Sequence, residues 1–135
     1  MDRLATRQLA ALWLAATLSA ASPAFAHHSY AAFESARTVT LAGTVETFEW
    51  ANPHVGLHIL AQENGAGEQA DWAIETSAPS ILERFGWTRD SIKRGDRIIA
   101  VLNPMRDGSH LGRLHTVTLT DTGQVLRTKL SGCGR

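Results

Sequence analysis

The sequence predicts a mainly β protein: a small OB-like barrel of five to six strands with one short helix between strands 3 and 4. Apolar residues alternate with period two in three successive segments between residues 38 and 76. The spacing becomes helical at residues 77–87 and returns to alternation from residue 97 onwards. Three strands, a helix and two further strands follow the order of a five-stranded Greek-key barrel. A small β-sandwich is the alternative, and the intervening helix disfavours it.

The first strand is predicted over residues 38–50, and its pattern indicates a bend. The apolar alternation runs as far as Val45 and then shifts by one position, so that Phe48 and Trp50 continue the apolar side. Gly43 lies in the middle of this segment. A glycine within a strand, together with a shift of phase, is typical of a bulge or a tight barrel corner, because glycine leaves room for a neighbouring strand.

The second and third strands are predicted as a hairpin. An Asn64–Gly65 step separates them, and this dipeptide is a strong signal for a tight turn. The residues expected to face inward are Val55, Leu57, Ile59 and Ala61 in the second strand and Ala70, Trp72 and Ile74 in the third.

Residues 77–87 predict the short helix. Ser77 is the expected N-cap, Pro79 lies in the first turn, and Gly86 ends the segment. The apolar side of this helix would be formed by Ile81, Leu82 and Phe85.

The remaining chain predicts strands separated by turns. Residues 96–104 and 111–120 alternate as strands around the loop at 106–110, and a last short strand is expected within 124–130. On the second of these strands, His115 is expected to share a face with Val117 and Leu119.

The first 26 residues have the features of a secretory signal peptide. Two arginines precede an apolar stretch at residues 9–21, and residues 24–26 read Ala-Phe-Ala. Thirteen apolar residues are too few to cross a bilayer, which needs about 20. We therefore expect cleavage after Ala26, export to the periplasm and no stable membrane insertion afterwards. The expected organisation is a signal peptide at 1–26, an N-terminal arm at 27–37, the barrel domain at 38–130 and a flexible tail at 131–135.

Charge and cysteine content restrict the partners that we expect. The mature chain would carry 11 basic and 12 acidic residues, and the nearest basic cluster, residues 93–97, contains a glycine and an aspartate. A nucleic-acid partner is therefore not expected. Cys133 is the only cysteine, so no internal disulfide can form; it is expected to be an inert thiol or to pair with another chain.

Six short motifs follow one another along the mature sequence: "HHSY" at 27–30, "GTVETFEWANPH" at 43–54, "WAIE" at 72–75, "GWTRDSIKRGD" at 86–96, "RDGS" at 106–109 and "VTL" at 117–119. In their order and spacing, these motifs resemble a family of small exported bacterial proteins of unknown function. The resemblance spans almost the whole mature chain and implies an exported β-barrel-like domain with no established activity. This chain departs from the family after Leu119, where "TDTGQ" replaces a tighter Asp-Gly turn.

The histidines are the candidates for metal chemistry. After cleavage, His27 would carry a free α-amine, and an amine and an imidazole on one residue can chelate Cu(II). His28 could add a further nitrogen, and His54, beside the Asn52–Pro53 step, could join them if the arm folds back. His54 and His58 do not form a chelating pair, because four residues of strand span about 13 Å. A polar, unstructured start for His27 and His28 and a structural hydrogen bond for His54 remain the alternatives.

The aromatic residues offer a different kind of site. Trp50, Asn52 and Trp72 could form one side of a ligand-binding face, since barrels of this type bind extended ligands across a face. Packing in the core is the alternative for both tryptophans.

No enzyme motif supports catalysis. Nucleophile-elbow, zinc-protease and phosphate-loop patterns are missing from the sequence, and so are paired cysteines. Two hypotheses remain. The first is an exported binding or accessory module for an unknown small ligand or envelope protein. The second is a periplasmic protein that binds copper or another divalent metal. No cofactor is certain in either case.

Overall fold

The computed structural model describes residues 30–128, which form six strands and a few short helical turns. The strands are β1 (Val39–Glu49), β2 (Gly56–Glu63), β3 (Ala70–Glu75), β4 (Arg97–Pro104), β5 (Leu111–Leu119) and β6 (Val125–Arg127). Between β3 and β4 lie helix α1 (Pro79–Leu82) and a 3-10 turn (Glu83–Phe85), and a further 3-10 turn (Tyr30–Ala32) precedes β1.

The strands close into a barrel. Their order in the sheet is β3-β2-β1-β4-β5-β6, and an additional parallel pairing of β3 with β5 completes a ring of five strands. The other neighbouring strands pair antiparallel, and β6 extends the sheet beyond the ring. This arrangement confirms the predicted OB-like barrel with a helix between strands 3 and 4.

The bend in β1 is confirmed as a bulge. The register between β1 and β2 shifts between Val45 and Thr47, where the apolar pattern changes phase. Gly43 pairs with Ala61, and a Cβ built on Gly43 would overlap the carbonyl oxygen of Leu60. The missing side chain therefore lets β1 and β2 approach each other.

The inward-facing residues predicted for the hairpin are confirmed, apart from a partly exposed Ala70 at the start of β3. Asn64 and Gly65 turn the chain between β2 and β3 with positive φ angles of 53° and 71°. The buried residues of this hairpin are Val55, Leu57, Ile59, Ala61, Trp72 and Ile74.

The helical segment differs from the prediction in its cap and its apolar side. Ala78 occupies the N-cap position and no side chain caps the helix, so the assignment of Ser77 was wrong. Leu82 is fully buried, whereas Ile81 and Phe85 are 41% and 42% exposed. A single helical turn followed by a 3-10 turn directs few side chains to one side. Core volume beyond the turn is filled instead by Trp87, whose Nε1 donates to the Arg127 carbonyl oxygen at 2.8 Å.

The prediction that His115 shares a face with Val117 and Leu119 was wrong. The register between β4 and β5 shifts between Val101 and Leu102, and the alternation on β5 changes phase at the same level. Val117 and Leu119 are buried, but His115 is only partly buried and faces away from the barrel interior.

The segment before β1 packs against the far end of β4. Phe33 forms a β-bridge with Met105, the Glu34 amide donates to the Pro104 carbonyl, and the Arg106 amide donates to the Ala32 carbonyl. The described part of the arm, residues 30–37, is thus attached to the barrel by backbone hydrogen bonds.

Several predictions fall on residues that the structure does not describe. The predicted signal peptide, His27 and His28 precede residue 30, and Cys133 with the predicted tail at 131–135 follows residue 128. Among residues 30–128, no helix is long and apolar enough to cross a membrane.

Candidate functional site

A cavity of about 270 Å³ opens at the end of the barrel where the β2–β3 and β4–β5 loops meet. Trp72 forms part of its wall, and the Trp72 and His110 rings lie 4.9 Å apart with planes tilted by 31°. Its lining consists of Ala61, Glu63, Ala66, Glu68, Gln69, Ala70, Trp72 and His110. The aromatic pair and the polar loop residues give the cavity both an apolar surface and hydrogen-bonding groups.

The charged groups that line this cavity are acidic. Glu63 accepts a hydrogen bond from the Arg37 guanidinium at 3.2 Å, whereas Glu68 forms no ion pair with any residue in 30–128. No lysine or arginine is part of the lining. A positively charged group entering the cavity would therefore be favoured over an anion.

The predicted ligand-binding residues are not brought together. The Trp50 ring packs on Phe48, with centroids 5.9 Å apart, while Trp72 packs on His110. Trp72 pairs with Ile59 on β2, and Trp50 follows the pair of Glu49 with Gly56. The levels of Trp50 and Trp72 therefore differ by more than three residues of β2, which is more than about 10 Å along the strand.

Asn52 lies away from the cavity as well. It precedes a cis Asn52–Pro53 peptide in the exposed loop between β1 and β2. Of Trp50, Asn52 and Trp72, only Trp72 borders the cavity.

Of the predicted metal ligands, the structure describes His54 but not His27 and His28. His54 is exposed in the loop before β2, and the next residue, Val55, is held by backbone hydrogen bonds to Thr76 and Ser77. His58 is exposed on β2. Within residues 30–128, no group of three or more His, Cys, Asp or Glu residues could hold a metal ion. Since His27 and His28 lie outside this range, the copper hypothesis stays a prediction.

A polar network beneath the arm was missed by the sequence reading. The buried Asn103 donates from Nδ2 to the carbonyl oxygens of Glu34 at 3.0 Å and Arg37 at 2.6 Å. Its Oδ1 lies 2.6 Å from His115 Nε2. Because that oxygen can only accept, His115 must carry its proton on Nε2. The sequence feature that could have revealed this network is Asn103, a polar residue directly after the apolar run at residues 98–102.

His115 favours its neutral form in this network. Burial disfavours the imidazolium, and the nearby positive charge of Arg113 adds to this effect, so the pKa of His115 lies below its ordinary value.

Arg113 and Tyr30 form a second contact between the arm and the barrel. The Arg113 guanidinium carbon lies 3.3 Å from the centroid of the Tyr30 ring, in the geometry of a cation–π pair. Burial lowers the pKa of Arg113, while Tyr30 and Glu75 act in the opposite direction.

Fold and cavity together define the class: a small closed OB-like barrel with a polar and aromatic cavity at one end. The chain belongs to DUF6152, a family of unknown function, which matches residues 15–114. This confirms the predicted membership in a family of unknown function. No curated protein matches the sequence.

A solved structure similar to this chain is the mitochondrial single-stranded DNA-binding protein Rim1 from S. cerevisiae. The match has 8% sequence identity and a TM-score of 0.45, and it covers 69% of this chain and 96% of Rim1. The similarity concerns the fold alone. Our exclusion of nucleic acid as a partner was wrong as a conclusion from the sequence. Overall charge balance is not a sufficient reason for that exclusion.

Proposed function

We propose that this protein is an exported binding module for a small ligand rather than an enzyme. The observation that carries the proposal is the cavity between the β2–β3 and β4–β5 loops, with Trp72 and His110 at its wall. The apolar stretch and the Ala-Phe-Ala step before His27 support export.

The cavity supports a ligand of limited size with a positive charge. A volume of about 270 Å³ lies just below the range of pockets for drug-sized molecules, which begins at about 300 Å³. One ring with a short substituent suits this space. Glu68 supplies a carboxylate without an ion-pair partner among the described residues, and Trp72 and His110 supply the apolar wall.

Benzylamine tests this proposal because it combines one ring with a charged ammonium group. We expect it to shift the NMR signals of the Trp72 indole and the His110 amide, with weaker effects from neutral benzyl alcohol and from benzoate. Filling the cavity by Ala66→Leu should abolish these shifts. Glu68→Gln should weaken benzylamine binding several-fold, and Glu83→Gln, on the helical segment, is the matched control.

Two outcomes contradict the proposal at different levels. If benzoate shifts the same signals as strongly as benzylamine, the preference for a cation is wrong. If none of the three probes affects the cavity residues, the cavity is not a ligand site.

The second candidate function is copper binding at the mature N-terminus, and the anchored arm favours it. Tyr30 is stacked on Arg113 of β5, and Arg113 pairs in register with Glu75 of β3. Glu75 in turn pairs with Gly56 of β2, which follows His54 by two residues. The described start of the arm at Tyr30 therefore lies on the side of the barrel that carries the loop with His54.

Titration of Cu(II) into the mature protein, with Zn(II) as the control metal, tests this second candidate. Mass spectrometry must first establish that the N-terminus is His27. We expect one submicromolar copper site that is lost when one extra residue precedes His27 or when His27 and His28 are replaced by alanine. His54→Ala should weaken the site without abolishing it. Full copper affinity in the His27→Ala/His28→Ala variant would exclude this site.

A further inference from the structure

Arg113 has a cationic group whose hydrogen-bonding capacity is not used within residues 30–128. One face of its guanidinium is covered by the Tyr30 ring at 3.3 Å. No hydrogen bond or ion pair joins its side chain to another described residue. The planar guanidinium carries five N–H donors in a fixed fork, and stacking on an aromatic ring holds that fork in one orientation.

Arg106 places a second positive charge next to this stack. Its Nε donates to the carbonyl oxygen of Ala31 at 2.9 Å, and its backbone amide donates to the Ala32 carbonyl at 3.0 Å. Ala31 directly follows Tyr30, so both arginines contact adjacent residues of the arm. The terminal nitrogens of the exposed Arg106 side chain make no hydrogen bond to residues 30–128.

Glu75 is the acidic residue whose charge acts on Arg113. It pairs in register with Arg113 on the neighbouring strand, and its charge raises the pKa of that arginine. It forms no ion pair with Arg113 in the described structure. Glu75 therefore reduces the positive potential at Arg113 but does not occupy its donors.

We propose that the Arg113–Tyr30 stack, with Arg106 beside it, is a binding site for an oxyanion, a carboxylate or a phosphate group. Arg113 binds two oxygens through its parallel N–H groups, and Arg106 adds a charge-assisted contact. Tyr30, Arg106 and Arg113 do not line the acidic cavity of the proposed function, so either proposal can fail without the other.

Titration with sodium acetate and with inorganic phosphate tests the site and distinguishes its two ligand chemistries. We expect at least one of these anions to shift the NMR signals of the Arg113 side-chain N–H groups and the Tyr30 ring in a saturable manner. Arg113→Lys keeps the charge but removes the planar fork, and it should weaken binding about tenfold. Arg106→Gln should weaken it less. Arg89→Gln, an exposed arginine elsewhere on the surface, is the matched control and should leave binding unchanged.

The stack has a competing role as a purely mechanical anchor for the arm. Under that role neither anion gives saturable shifts at Arg113, or Arg113→Lys binds as tightly as the parent protein, and either result overturns the proposal. Arg113→Lys retains a positive charge over the Tyr30 ring, so the arm should stay attached to the barrel in this variant. The variant therefore tests anion binding even if a neutral substitution of Arg113 would loosen the arm.

Discussion

At the residue scale, Gly43 shows how the absence of a side chain supports the barrel. An added Cβ would overlap the Leu60 carbonyl oxygen and the Ala61 side chain, so β1 and β2 would have to separate. We expect Gly43→Ala to lower the free energy of unfolding by about 1–3 kcal/mol, as is typical for overpacking. Urea denaturation measures this change.

Gly56→Ala is the matched control for Gly43→Ala. Gly56 lies on β2, and the nearest atoms to its added Cβ are those of the Glu49 side chain at 3.9 Å. This is ordinary van der Waals contact, so we expect Gly56→Ala to cause little loss in the free energy of unfolding. If the two variants lose the same free energy of unfolding, the loss comes from the changed flexibility of the backbone and not from the close approach of β1 and β2 at Gly43.

His115 makes the stability of the protein depend on pH. Its pKa is lowered in the folded state, chiefly by burial and also by Arg113, so the unfolded chain binds the proton more readily. The stabilisation is complete above the ordinary histidine pKa of about 6.5 and is lost as the pH falls towards the folded value. Urea midpoints should therefore decrease between pH 7 and pH 5, and His115→Gln should reduce that decrease. His58→Gln, at an exposed position, should show the same decrease in urea midpoint as the parent protein. If the His115→Gln variant also shows this full decrease, the prediction is wrong.

At the scale of elements, the arm depends on one side chain of β4. Asn103 donates to two arm carbonyls and accepts from His115. Asn103→Ala removes three partly buried hydrogen bonds, and we expect this loss to cost about 1–3 kcal/mol in the free energy of unfolding. We expect a lower urea midpoint and faster amide exchange at Arg37, whose backbone carbonyl loses its donor.

The exposed Gln124→Ala is the control for Asn103→Ala and should leave both measurements unchanged. Unaltered amide exchange at Arg37 in the Asn103 variant would mean that the backbone bonds alone hold the arm.

At the scale of the whole molecule, closure of the barrel depends on the parallel contact between β3 and β5. The Ala73 amide donates to the His110 carbonyl at 2.9 Å at the start of this contact. Ala73→Pro removes the donor, so we expect a loss of about 2 kcal/mol or more in the free energy of unfolding. Ala73→Ser keeps the amide and should cost much less. Thermal unfolding by circular dichroism compares them, and equal melting temperatures would show that this bond does not support closure.

The alternating apolar residues were sufficient to predict the strands, the β1 bulge and the order of elements. Each of these features follows from local periodicity, because burial on one face repeats every second residue in a strand. The helix cap and the face of His115 were not predictable in this way. A short helical turn is positioned by its neighbours, and the phase change on β5 arises from its register with β4.

The sequence by itself therefore determined the fold class and the family, since both are encoded in the order of residues along the chain. Tertiary structure alone decided which distant residues meet. It separated Trp50 from Trp72, placed His110 against Trp72, and set Arg113 on Tyr30. Barrel closure pairs β3 with β5, which are more than thirty residues apart in the chain. The side chains that such a long-range pairing brings together cannot be predicted from local sequence patterns.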